Sequence, residues 1–246
     1  MDLRFDETGF GDIGIFQAPE EFCYGVDAVL LADFAAKAAN KKKNCRIMDL
    51  GTGTGIIPLI LSHKTKAPYI AGLEVQDHSF SLVQKNIAYN HLENRIHGFQ
   101  GDVSAFSLED EMAETFDVVT SNPPYFVGGG GIESKNPAKS IARHETTGSL
   151  NDFVRLAAKL LKDKGDFYMV HRPSRLVDIC QCCRSHKLEP KELRFVSGKP
   201  MEKPNILLIH CVKHGGSELR ILEPLAVHRE DGTYTDEILK IYEKGI

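Results

Sequence analysis

An apolar run, Val118-Val119-Thr120-Ser121, reads as a buried strand and breaks into Asn122-Pro123-Pro124-Tyr125. Each proline forces the residue before it into extended backbone and fixes its own φ. Asn122 and Pro123 are thereby held in shape before any ligand arrives. The result is two rigid acceptors, the Asn122 side-chain oxygen and the Pro123 carbonyl, with the ring of Tyr125 close by. Such a set suits a planar amino group conjugated to a ring or carbonyl, whose nitrogen lone pair is delocalised and a poor nucleophile. Acceptors on its two hydrogens favour a pyramidal nitrogen and stabilise the positive charge that grows as it attacks. A plain turn, with Tyr125 as packing, is the alternative.

A second constellation indicates what the nitrogen attacks. Asp49-Leu50-Gly51-Thr52-Gly53-Thr54-Gly55 follows a short strand and opens a helix. Glycines there permit a tight turn and let backbone N–H groups approach a ligand at the positive end of the helix. Glu74 closes the next strand, where a carboxylate can accept both hydroxyls of a ribose, and Asp102 closes the third, within reach of an adenine edge. The ligand is therefore adenosine-like. A nicotinamide or flavin dinucleotide wants G-x-G-x-x-G for its pyrophosphate, whereas here the spacing is G-x-G-x-G and Ile56 follows Gly55. S-adenosylmethionine has no phosphate, and its amino-acid end can lie on the loop with Asp49 facing the ammonium. Its sulfonium is an activated methyl donor, so the expected chemistry is methyl transfer to an amine. Neither metal nor covalent intermediate is required, and the proton can leave after the methyl arrives. Tyr125 would stack on the substrate plane, and a base in folded nucleic acid would have to be flipped out.

The elements that must position these groups alternate. CRIMDL, PYIAGLEV, RIHGFQGD and FDVVTS read as strands, separated by helices from Gly55 to about His63 and from Asp77 through DHSFSLVQKNIAYNH. Short connections imply parallel β-α-β units with helices on both faces of one sheet. Upstream lie a β-rich entry with turn glycines and a helix, VDAVLLADFAAKAA, that Asp27 can cap. Downstream come LNDFVRLAAKLL as helix, GDFYMVH as strand, a helix from Pro173, a strand pair in LEPKELRFVSG and PNILLIHCVKH, the strand ILEPLAVHR and a short helix. Between Tyr125 and this resumption, FVGGGGIESKNPAKSIARHETT has no periodicity. Loops of this length inside a compact domain are usually functional or mobile.

Bulk properties narrow the class. With 246 residues, 42% hydrophobic and 26% charged, the chain fits one large α/β domain or two small ones. A net charge of -4 excludes a global nucleic-acid signature, so any such contact needs a local basic patch. No apolar leader follows Met1 and no run suits a membrane span, so a cytoplasmic location is expected. Cys23, Cys45 and Cys211 lie singly in segments that read as buried. Cys180, Cys182 and Cys183 cluster with His186, yet RLVDICQCCRSH reads as a helix with packing thiols rather than a zinc site.

Taken together, DLGTGTG, Glu74, Gly101-Asp102 and Asn122 to Tyr125 resemble the class I S-adenosylmethionine-dependent amino-methyltransferases, which act on adenine N6, guanine N2 or glutamine amides. The resemblance implies a Rossmann-like, seven-stranded, mostly parallel sheet with its last strand antiparallel and helices on both faces. Three further segments, QAPEEFCYGVDAVLLA, IARHE and LEPLAVHR with GTYT, are similar to bacterial tRNA (adenine-N6)-methyltransferases that modify adenine-37 of a valine tRNA. That family implies a single domain over 1–246, with 1–40 as an extension over the cofactor site and 41–246 as catalytic core.

On this resemblance Asn122, Pro123 and Tyr125 are catalytic. Tyr24, Asp27, Asp49, Gly51, Gly53, Gly55, Glu74, Val75, Asp102, Val103 and Asn122 hold S-adenosylmethionine, released as S-adenosylhomocysteine. Pro124, Phe126, Lys135, Lys139, Arg143 and His144 meet tRNA, with no membrane or obligate protein partner and no metal. Arg172, Arg175, Lys199 and Lys203 could extend a basic rim. A release-factor glutamine amide is the first rival substrate, disfavoured by the short stretch before Tyr24, and other RNA or DNA amines stay open. A non-catalytic RNA-binding module and a nucleotide-dependent oxidoreductase are the rivals of other classes.

Overall fold

Two short runs with glycine-rich connections open the chain as a hairpin, Arg4–Glu7 (β1) and Gly14–Gln17 (β2), in a computed structural model that describes residues 3–20, 23–106, 112–124 and 148–244. Val26–Ala39 (α1) is apolar almost all round and buries nine of its residues, as a helix between a sheet and other helices must. The alternation then runs Arg46–Leu50 (β3), Ile56–Lys64 (α2), Tyr69–Glu74 (β4), Asp77–Tyr89 (α3), Ile96–Gln100 (β5) and Phe116–Ser121 (β6). It continues with Leu150–Leu160 (α4), Leu161–His171 (β7), Leu176–Ser185 (α5), Leu188–Ser197 (β8) and Ile206–Lys213 (β9). Arg220–Ile221 (β10), Leu225–Ala226 (β11) and Asp236–Ile241 (α6) complete it.

The main sheet has the order β10-β8-β9-β7-β6-β3-β4-β5, with β11 also paired to β8. From β5 to β7 every neighbouring pair is parallel, and β9 runs antiparallel to both β7 and β8. Alternate residues of each central strand enter opposite cores. Ile47, Ile70 and Val118 face α1, α2 and α3, whereas Met48, Ala71 and Val119 face α4 and α5. Both faces are covered, which explains why these strands read as continuous apolar runs.

Four sequence expectations need correction. The seven strands β3–β9 are as expected, but the strand expected at ILEPLAVHR forms two short ones on β8, which brings the sheet to nine strands among the described residues. Leu222 N–H donates to Leu193 O (2.8 Å), but Pro224 has no N–H, and pairing resumes only at Leu225. The third strand of the repeat ends at Gln100, so Asp102 stands beyond it rather than closing it. The segment from Pro173 starts as a 3-10 turn, Pro173–Arg175, before α5 begins. Asp27 does not cap α1: the N-cap is Gly25, in extended backbone, and Asp27 is the second helical residue. Its carboxylate instead accepts from Ala28 N–H (2.9 Å) and the Asn122 amide (3.1 Å).

The hairpin is attached through a helix face. On α3, Asn86 and Asn90 are one turn apart and act as a strand edge for β2. Phe16 N–H donates to Asn86 Oδ1 (2.7 Å) and Asn86 Nδ2 donates back to Phe16 O (3.1 Å). Gly14 and Asn90 repeat the exchange at 3.0 and 2.8 Å. Asn86, fully buried, also donates to Thr54 O in the glycine loop (2.9 Å). Replacing Asn86 with leucine leaves the part-buried N–H and carbonyl of Phe16 and the buried carbonyl of Thr54 unmet. The unfolding free energy from urea titration should fall by about 2–4 kcal/mol.

Candidate functional site

The carboxyl ends of β3 and β6 lie side by side where the strand order reverses, the position at which open α/β sheets bind ligands. Leu50 is registered with Ser121, and Ser121 Oγ donates to Leu50 O (3.0 Å). The glycine loop leaves β3 and Asn122-Pro123-Pro124 leaves β6 from this one edge. Gly51, Gly53 and Gly55 all take positive φ, at 70°, 58° and 88°, which L side chains adopt at a cost. A Cβ on Gly51 would also meet the Phe153 ring of α4 at 3.1 Å.

Two acids at this edge are used differently. Glu74 is buried, and its oxygens accept three backbone N–H groups, from Gly53 (2.8 Å), Val75 (3.0 Å) and Gln76 (2.9 Å). It therefore clamps the middle of the glycine loop to the end of β4, with Val75 beside it. Asp49 is fully buried, and its Oδ1 accepts from Thr120 Oγ1 of β6 (2.6 Å). Among the described residues its Oδ2 has no hydrogen bond of ordinary length, and neither has the buried Thr52 hydroxyl, which nevertheless stands near enough to favour the charged carboxylate. Burial pushes the Asp49 carboxyl up to about 7, against the downward pull of the Thr120 and Thr52 hydroxyls. A buried carboxyl of raised proton affinity, with one oxygen short of donors, is complementary to a cation. The ammonium of S-adenosylmethionine fits that requirement.

Tyr24 and Asp102, also expected at the cofactor, are each held by a hydrogen bond. Tyr24 is half-buried, and its N–H donates to Gln17 Oε1 (3.0 Å), whose amide is held by Asp6 (2.6 Å). The hairpin thus fixes the approach to α1. Beyond β5, Asp102 Oδ1 accepts from Ser104 N–H (2.7 Å), and Val103 is buried against the sheet. Tyr125, Phe126, Lys135, Lys139, Arg143 and His144 lie outside the described residues.

Sequence reasoning missed His171. It closes β7 at the same edge, 3% exposed, and with Pro123, Pro124, Ser149 and Arg175 it lines a cavity of about 200 Å³. Its Nδ1 accepts from Arg172 N–H (2.8 Å), and burial with the Arg175 and Arg172 charges lowers it to about 4. It is therefore neutral at physiological pH and puts no cation beside Asn122-Pro123-Pro124. A polar residue ending an apolar strand, the signal that found Glu74, would have found His171 too. Arg172 and Arg175 follow directly, and Lys199 and Lys203 lie in the β8–β9 connection, which turns at this same end of the sheet. A larger cavity, about 460 Å³ between His63, His91 and Arg95, sits at the opposite end, where α2 and α3 terminate.

The cysteine cluster packs elsewhere. Cys183 is buried in the α5 face of the core with Cys211 of β9, and burial pushes the half-buried Cys182 thiol up to about 11. Cys23 is half-buried rather than buried. Among the described residues no group of three His, Cys, Asp or Glu side chains is placed to hold a metal, and no helix is long and apolar enough to cross a membrane.

Comparison with known proteins gives concordant results. Residues 24–177 match the methyltransferase small domain family. A tRNA1(Val) (adenine(37)-N6)-methyltransferase of Parabacteroides distasonis is 31% identical over 186 residues, covering 75% of this chain and 74% of that protein. One of the same name from Aeromonas salmonicida is 28% identical over 223 residues, covering 88% and 87%. Among solved structures, a predicted O-methyltransferase from Agrobacterium tumefaciens superposes with a TM-score of 0.71 at 20% identity, over 89% of this chain and 96% of that one. A putative RNA methyltransferase from Pyrococcus horikoshii gives 0.55 at 18% identity, over 76% and 83%. These two likenesses establish the class I methyltransferase fold.

The state of Asp49 predicts a pH dependence. Its carboxyl is raised above the ordinary value, so its contribution to the stability of the ligand-free protein is full at low pH and lost as pH rises through about 7. A bound cation favours the ionised form and expels the proton. Affinity for S-adenosylmethionine should therefore rise with pH, approaching about tenfold per unit below pH 6, and flatten above about pH 8. Calorimetric titration of wild type and Asp49→Asn checks this: the variant should bind more weakly at pH 8 and with a flatter profile.

Proposed function

We propose a function from the premise that this chain belongs to the methyltransferase small domain family, and within it to the tRNA1(Val) (adenine(37)-N6)-methyltransferases. It is an enzyme that transfers the methyl group of S-adenosylmethionine to N6 of an adenine in tRNA, adenine-37 of a valine tRNA. The observation that carries this reading is the adjacency of β3 and β6. It sets Asn122-Pro123 beside the glycine loop, so the acceptors for an amine and the loop for an adenosine ligand share one edge.

On this reading Asp49 meets the cofactor's ammonium, and Gly51, Gly53 and Gly55 bring backbone N–H groups close to its amino-acid end. Glu74, already holding the loop, takes the ribose hydroxyls, with Val75, Asp102 and Val103 around the adenine and Tyr24 on the open side. When bound, S-adenosylmethionine supplies a methyl group already activated by its sulfonium. Everything else falls to the chain's own groups. Asn122 Oδ1 and the Pro123 carbonyl accept the two N6 hydrogens, which localises the lone pair and stabilises the charge that develops on nitrogen. Tyr125 stacks on the flipped base, with Pro124 and Phe126 at its edges, and the proton leaves to water once the methyl has moved. No strong base is needed, consistent with a neutral His171 near the site.

Positive side chains at this edge favour a polyanion despite the net charge of -4. Arg172, Arg175, Lys199 and Lys203 stand at the carboxyl end of the sheet, and Lys135, Lys139, Arg143 and His144 supply the rest of the tRNA contact. A cytoplasmic location follows from a tRNA substrate.

Two measurements test the reading. Methylation of total tRNA with labelled cofactor, followed by nucleoside analysis, should give N6-methyladenosine; label in protein amides instead would replace the substrate assignment. Asn122→Ala should lower kcat by about 10²–10³-fold with cofactor affinity nearly unchanged. Separately, neutralising Lys139 and Arg143 together should weaken tRNA binding and reduce the slope of log K against log salt by about 1.5–2. An unchanged slope would remove that segment from the RNA contact.

A further inference from the structure

We infer that Asp27 is a positioning residue for Asn122, fixing which end of its amide faces the substrate, rather than a ligand of the cofactor. The two ends of an asparagine amide are nearly the same shape, and only one of them can accept a hydrogen bond from an amine. A mechanism that needs Asn122 Oδ1 as acceptor therefore needs something that rejects the reversed rotamer. A carboxylate does so, because it accepts and cannot donate. Asp27 Oδ2 lies 3.1 Å from Asn122 Nδ2, a contact that spans 95 residues of sequence and ties the first turn of α1 to the end of β6. With the oxygen turned toward Asp27, two acceptors would face each other at that distance. The carboxylate thus leaves one orientation, with Oδ1 directed away from it.

Asp27 is itself held. Its Oδ1 accepts from Ala28 N–H (2.9 Å), one of the N-terminal N–H groups of α1 without a helical acceptor, at the positive end of the helix dipole. Gly25 makes room for it: a Cβ at position 25 would stand 2.9 Å from Asp27 Oδ1. Gly25 has extended backbone at φ -113°, which any residue adopts, so the space it leaves accounts for glycine there better than its conformation does. Gly25 and Asp27 are in this light a device of the amine site. The inference rests on the reading of Asn122 as the amine acceptor, and the test separates the two.

The test exchanges the partners. Wild type, Asp27→Asn, Asn122→Asp, the double variant Asp27→Asn with Asn122→Asp, and Gly25→Ala are compared by tRNA methylation kinetics, by calorimetric affinity for S-adenosylmethionine, and by thermal unfolding. Asp27→Asn and Gly25→Ala should each lower kcat by about tenfold or more while cofactor affinity stays within about threefold. Asn122→Asp alone sets two carboxylates against each other, so one takes a proton, and kcat should fall with a new ionisation in its pH profile. In the double variant the amide placed at position 27 donates to the carboxylate placed at position 122. An acceptor again faces the substrate, and kcat should recover by about tenfold over Asn122→Asp with that ionisation lost.

The inference is overturned if the double variant is no faster than Asn122→Asp, or if Asp27→Asn weakens cofactor binding tenfold with kcat intact. If Asp27→Asn does not fold, the double variant and Gly25→Ala decide the matter alone. Failure of the underlying reading looks different: wild-type protein would then give no N6-methyladenosine in tRNA at all.

Discussion

The pairing of β3 with β6 is the constraint on which the rest depends. Both strands are buried on both faces, so a shift of one residue would turn every side chain of a strand toward the wrong core. Two side-chain bonds reinforce the backbone register, Thr120 to Asp49 and Ser121 to Leu50. From β3 the sheet grows outward through β4 and β5, and from β6 it grows the other way through β7 and β9. Successive connections on the two sides cover opposite faces, and the gap between them opens at a single edge. Every polar residue that ends a central strand consequently reaches the same small region.

That region shows two ways of keeping a buried carboxylate. Glu74 receives three backbone N–H groups, so its charge is compensated inside the protein and serves to shape a loop. Asp49 receives hydroxyls rather than N–H groups and is left short, and burial raises its proton affinity. The first arrangement suits a residue that must stay fixed. The second suits one whose compensation comes from a ligand, since the cost of the unmet oxygen is recovered on binding. His171 follows the same logic with opposite sign: burial and neighbouring arginines keep it uncharged.

Much of this was legible in the sequence because it rests on local rules. Gly51, Gly53 and Gly55 announce a turn of positive φ, and the acid of Glu74 closes its strand where expected. The prolines after Asn122 mark a stiff strand end, and the alternation of strands and helices yields the parallel sheet. What was not legible depends on contacts between distant segments. Asp27 read as a helix cap by its position, whereas its partner is Asn122, brought near by the packing of α1 on the sheet. Asn86 and Asn90 lie in a segment that reads only as a helix, and nothing local tells that they dock a hairpin. The split of the last strand into β10 and β11 hinges on Pro224, a visible residue whose effect depends on which neighbour its missing N–H would have met.

Asn86 has one further implication. A single buried amide holds the backbone of Phe16 and the carbonyl of Thr54, so the hairpin and the glycine loop share a member of their hydrogen-bond sets. The hairpin contributes no strand to the main sheet and is docked instead through Asn86 and Asn90. Undocking it would release Asn86 from Phe16 and slacken its hold on the loop. By linkage, whatever stabilises the loop must also stabilise the closed hairpin. The first strands of the chain therefore belong to the same thermodynamic unit as the ligand site, although they form part of neither the sheet nor the cavity beside it.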